Sequence, residues 1–128
     1  MPRQSPEWRL QAEAVSALLK RRDFAGWPIE IAAGMEGQKR TKVEQARAKV
    51  TGMTAGEPDL RVYLPAGRLG LIEFKTEAGK LTESQKKRHP RLARLGHPVT
   101  VIAASSPEEA AAKVLHLVAG WLGLEGID

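Results

Sequence analysis

Three residues have the types and spacing to do chemistry: Asp59, directly after Pro58, and Glu73 and Lys75 in the run Glu73-Phe74-Lys75. Residues 60–64 read as a short strand, 66–68 as a turn and 69–76 as a second strand. Side chains alternate along a strand, so Glu73, Lys75 and Leu71 share one face while Ile72 and Phe74 share the other. A hairpin through the turn returns Asp59 to the neighbourhood of Glu73. Two carboxylates and one ammonium then converge on one edge of a small sheet, which is what holding a divalent cation beside a phosphodiester requires. In-line attack by water builds negative charge on the phosphoryl oxygens and on the leaving 3′ oxygen; Mg²⁺ or Mn²⁺ neutralises it and lowers the pKa of bound water. Magnesium takes oxygen ligands and keeps several waters, so a few protein donors suffice. A lysine beside that water can hold the nucleophile and counter the charge. Without its surroundings, Glu-Phe-Lys on a strand is in most proteins a solvent-facing pair flanking a buried aromatic.

The elements that must position these residues follow from the pattern of the chain. Ser5-Pro6-Glu7 reads as a helix start, with Ser5 as N-cap, Pro6 as the first helical residue and an acid in the first turn. Trp8, Ala12, Val15, Leu18 and Leu19 recur at helical spacing and mark a buried face. A second stripe, Glu7, Gln11, Ala14 and Leu18, carries Glu7 and Gln11 toward the sheet, although Glu7 alone also fits a solvated carboxylate on the helix dipole. Residues 27–32 read as an edge strand because of Pro28, and 34–38 as a loop. A basic helix follows over 39–50; it is either a solvated connector or a phosphate-contacting surface. Thr82-Glu83-Ser84-Gln85 fits a capping box, opening a helix to about residue 95 that Pro90 interrupts. Residues 98–104 form a buried strand by their β-branched content. Ser106-Pro107 starts a last helix whose apolar face is Ala111, Val114, Leu115, Val118 and Leu122. The order predicts an α/β fold, a small mixed sheet of about four strands flanked by helices. A right-handed crossover would set the strands at 69–76 and 98–104 parallel.

Composition bounds the function. The 128 residues make one domain, 1–128, and 20 Lys+Arg against 15 Asp+Glu give +5, a balance that suits a polyanionic partner. The absence of cysteine removes disulfides, thiolate catalysis and zinc–thiolate sites. No apolar run is long enough for a membrane span and no signal-peptide core is visible, so a cytoplasmic protein is expected. His89, His97 and His116 are scattered without ligand spacing and read as surface or helix-end residues.

Pro58-Asp59 and Glu73-Phe74-Lys75 fit the PD-(D/E)xK nuclease pattern. Their surroundings are Gly52-x3-Gly56-x-Pro58-Asp59-Leu60, Gly79-Lys80-Leu81-Thr82-x2-Gln85 and Leu92-x2-Leu95-Gly96-x2-Val99. Together these resemble the VRR-NUC family over nearly the whole chain, with most likeness to its minimal, stand-alone phage and bacterial members. The resemblance implies a restriction-endonuclease-like core and a bacterial or phage origin. It implies Asp59 and Glu73 as ligands of Mg²⁺ or Mn²⁺ together with the Phe74 carbonyl and Glu7, and Lys75 as the residue that orients or activates water. It places Gln85 beside the catalytic centre, and Arg40, Arg47 and Lys49 where the family carries positive residues for nucleic acid. It further implies an endonuclease acting on double-stranded or branched DNA, such as Holliday junctions, as a homodimer; the last helix, rich in Ala, Val and Leu and ending in Trp121-Leu122, is a candidate dimer surface by its own composition. The alternative is a non-catalytic DNA-binding module with the same fold.

Overall fold

The hairpin forms as the alternation predicts, and the rest of the chain is packed around it. The computed structural model describes residues 5–34 and 41–124. In chain order the elements are α1 (Glu7–Ala25), β1 (Glu30–Ala33), α2 (Lys42–Val50), β2 (Leu60–Tyr63), a short 3-10 turn (Pro65–Gly67), β3 (Leu69–Thr76), α3 (Glu83–Arg94), β4 (Val99–Ala104) and α4 (Pro107–Leu122). The strands make one mixed sheet in the order β1-β2-β3-β4. Its first two pairings are antiparallel and β3–β4 is parallel, as the crossover rule requires. Opposed across the hairpin are Leu60 and Ile72, Arg61 and Leu71, and Val62 and Gly70.

Each face of the sheet has one task. Leu60, Val62, Ile72, Phe74, Ile102 and Ala104 point to one side and are buried against Leu10, Leu18, Val114 and Val118 of α1 and α4. Gly70 lies in this face because Trp121 of α4 rests on it: a Cβ there would sit 2.2 Å from the indole ring. The opposite face carries Arg61, Leu71, Glu73 and Lys75, and α3 lies along it.

Several local expectations shift. Pro6, in extended backbone, takes the N-cap position of α1 and no side chain caps the helix, so Ser5 stands one residue outside. The buried stripe of α1 is Leu10, Ala14 and Leu18, while Trp8 is 65% exposed with the Arg9 guanidinium over its ring. The apolar face of α4 is centred on Ala110, Val114 and Val118, one position back from Ala111. α1 and the sheet of the same chain cover that face, while Leu115, Leu117, Trp121 and Leu122 of the same helix are only partly buried. β1 begins at Glu30, later than expected, and is an edge strand as Pro28 suggested. α3 runs unbroken through Pro90; that turn is exposed, so water can satisfy the Lys86 carbonyl that the proline leaves without a donor.

Candidate active site

Asp59 lies one step beyond the β2–β3 ladder, and continuing the register sets it opposite Glu73. Leu60 and Ile72 are a hydrogen-bonded pair, because the Phe74 N–H, on the same edge of β3 as that of Ile72, points toward β2. Asp59 and Glu73 therefore occupy a non-hydrogen-bonded position, where opposed side chains come closest. The two carboxyl groups are within hydrogen-bonding contact of each other, so the convergence expected from the hairpin is found.

The preceding proline explains how the strand opens here. Extending the ladder one residue further would oppose Pro58 to Phe74, and proline has no N–H to give. The Phe74 N–H is taken instead by Asp59 Oδ2 at 2.8 Å. Since N–H and C=O of one strand residue project to the same edge, the Phe74 carbonyl faces the gap that Asp59 occupies and receives no ladder bond from Pro58. The Asp59 main chain is fixed from two further sides. Its carbonyl accepts from Gly34 N–H at 3.2 Å and from Gln11 Nε2 at 3.3 Å, so β1 and α1 both position it.

Glu73 is 1% exposed and Lys75 6%. Burial, together with the hydrogen bond and charge of Asp59, pushes the Glu73 carboxyl up to about 9, against the pull of Lys75. At neutral pH the Glu73 carboxyl therefore keeps its proton. Lys75 Nζ lies 3.8 Å from Glu7 Oε1, so the first turn of α1 reaches the end of β3. Gly79 makes room for that approach, since a Cβ there would sit 3.2 Å from Glu7 Oε2.

His89 is the residue that the spacing argument missed. Its Nε2 lies 3.3 Å from Glu73 Oε1, and its side chain is only 11% exposed. It belongs to this centre, not to the surface. Burial first and the Lys75 charge next hold its imidazole below the ordinary value, so it is neutral at pH 7. The signal was its position four residues after Gln85, on the same stripe of α3. Gln85 itself completes the capping box: its Oε1 accepts the Thr82 N–H at 2.9 Å, and its own N–H is bonded to Thr82 Oγ1 at 3.2 Å.

Asp59, Glu73, Phe74, Lys75 and Glu7 are thus gathered in one place. Arg47 and Lys49 are exposed in the last turn of α2, and Arg40 lies outside the described residues. Among the described residues no set of three or more carboxylate or imidazole side chains is arranged to hold a metal ion. The oxygen donors gathered here are two carboxylates and a main-chain carbonyl, a set from which a hard cation would have to complete its shell with water. The proton held on Glu73 is consistent with a cation fitting there, because a buried carboxyl beside a second acid needs a positive partner before it can ionise.

Neither a family model nor a curated protein matches the sequence. A solved structure described as a VRR_NUC domain protein matches with a TM-score of 0.66, over 99% of this chain and 96% of its own, at 21% identity. This chain has the VRR_NUC fold. A second structure, described as a VRR_NUC domain, covers 86% of this chain and 95% of its own at 24% identity, with a TM-score of 0.49. The VRR_NUC fold spans all the elements that build the carboxylate pair. No described helix is long and apolar enough to cross a membrane.

Proposed function

We propose that this chain is a VRR-NUC family endonuclease that hydrolyses phosphodiester bonds in DNA with Mg²⁺ or Mn²⁺, acting on branched DNA such as Holliday junctions as a homodimer. The observation that carries the reading is the Asp59–Glu73 pair, joined across the hairpin with Lys75 buried beside it. Asp59, Glu73 and the Phe74 carbonyl would hold the cation, which when bound neutralises phosphoryl charge and acidifies water. Lys75, kept in place by burial and by Glu7, holds the attacking water and counters the charge that develops on the phosphoryl oxygens. His89 fixes the orientation of the Glu73 carboxyl. Water forms the new P–O bond as the bond to the 3′ oxygen breaks, and the leaving oxygen takes up a proton. Two incisions in opposite strands need two such centres, which a symmetric dimer supplies.

The test is incubation with supercoiled plasmid and with a four-way junction in Mg²⁺, Mn²⁺ or EDTA. Cutting is expected with either metal, none in EDTA, and none by Asp59→Asn or Lys75→Ala, both of which keep DNA affinity. Binding without cutting by the unaltered protein would establish the non-catalytic module instead.

A further inference from the structure

Beside the carboxylate centre, on the same face of the hairpin, is a cleft of ≈ 220 Å³ that the reaction above does not use. Arg61 and Arg88 enter it from β2 and α3, and the chain after α2, residues 51–54, forms its other wall. Both guanidiniums rest on the Glu57 carboxylate: Arg61 Nη2 donates to Oε2 at 2.6 Å and Arg88 Nε to Oε1 at 3.0 Å. Each arginine commits one nitrogen to Glu57, and a guanidinium has five N–H donors in a fixed fork. The remaining donors are left to the cleft, and two guanidiniums against one carboxylate leave it with a net positive charge. An acceptor that draws in two guanidiniums, one nitrogen from each, offers what a phosphate also offers to arginine.

The position is as informative as the chemistry. Arg61 follows Asp59 by two residues on the same strand face, a spacing of roughly 6.6 Å, and Arg88 is the neighbour of His89. A strand whose scissile phosphate sat at Asp59 and Glu73 would lay its next phosphate over this pair. We propose that Arg61 and Arg88 form a clamp for the backbone phosphate adjacent to the scissile one, with Glu57 the internal counter-ion that holds both forks in place until the strand arrives. The nature of the strand rests on the nuclease reading; the clamp is tested without cleavage.

The experiment measures binding of the full chain to a fluorescent junction oligonucleotide in EDTA across a salt series, with folding of each variant checked by circular dichroism. Arg61→Ala and Arg88→Ala are each expected to weaken binding about tenfold and to lower the slope of log K against log salt by about 1. Arg88→Lys, which keeps the charge but loses the fork, should retain the slope while losing affinity. Glu57→Gln has the opposite sign: freeing both guanidiniums should tighten binding and steepen the slope. Unchanged slopes in the alanine variants, or weaker binding by Glu57→Gln, would overturn the clamp and leave a bridge that only ties α3 to β2. Inorganic phosphate titrated alone should bind far more weakly than the oligonucleotide; equal affinity would mark a free-phosphate site and overturn the strand assignment. Because no metal is present, failure of the clamp is separable from failure of the nuclease reading, which Asp59→Asn tests by cutting.

Discussion

Replacing Glu73 by glutamine should stabilise the metal-free protein while destroying its activity, and the gain should depend on pH in a way that identifies its cause. The folded-state value of Glu73, about 9, lies above the ordinary 4.5 that the unfolded chain would show. Between those values the native state binds more protons than the unfolded state, so stability falls as pH rises across that window. The slope is at most about 1.4 kcal/mol per pH unit for one proton. From pH 5.5 to 8.5 the loss is therefore on the order of 4 kcal/mol. Glutamine has the same shape, can donate to Asp59 as the protonated acid does, and does not titrate. Urea unfolding in EDTA at pH 5.5, 7.0 and 8.5 should show Glu73→Gln close to the parent at the lowest pH and increasingly more stable above it. Repeating the series in Mg²⁺ should flatten the parent's loss, since the cation takes the proton's place. A difference between the two proteins that is the same at every pH would refute the account of a Glu73 carboxyl that stays protonated in the folded chain.

Two further outcomes follow from the packing around the centre. His89→Ala should lower metal affinity about 10-fold or more, as loss of a partner that orients a ligand commonly does; Mn²⁺ titration reads this directly, partial rescue by His89→Gln is expected, and unchanged affinity would remove His89 from the site. Gly56→Ala should destabilise by about 1–3 kcal/mol in urea unfolding, because Gly56 has φ +83° and a Cβ there would lie 2.4 Å from the Ser84 carbonyl oxygen; unaltered stability would show that the turn can yield.

The parts of the fold legible in the sequence are those governed by short-range rules. β3 falls at 69–76 because the turn before it and the alternation along Leu71–Lys75 mark it locally, β-branching marks β4, and the Thr82–Gln85 cap is a local hydrogen-bond pattern. α1 was harder, since Trp8 and Val15 compete with Leu10 and Leu18 for the inward face. The choice is made by the stripe that also brings Gln11 onto the Asp59 carbonyl. His89 and the Arg88–Glu57 bridge depend on how α3 lies across the hairpin. Glu57 and Arg88 are 31 positions apart, and no periodicity within either segment encodes their meeting. The carboxylate pair was legible because a hairpin is itself short-range: Asp59 and Glu73 are apart in sequence but joined by one turn.

The turn at Pro65–Gly67 thereby acquires a duty far from any chemistry. It sets the register of β2 against β3, and side chains along a strand change sides with every residue. Deleting or inserting one residue there, roughly 17 Å along the strand from the carboxylates, would leave both acids in the chain yet send Asp59 through to the oily side of the sheet. Loop length is the molecule's alignment gauge, and an otherwise innocuous indel at its far tip should silence the centre as completely as removing an acid.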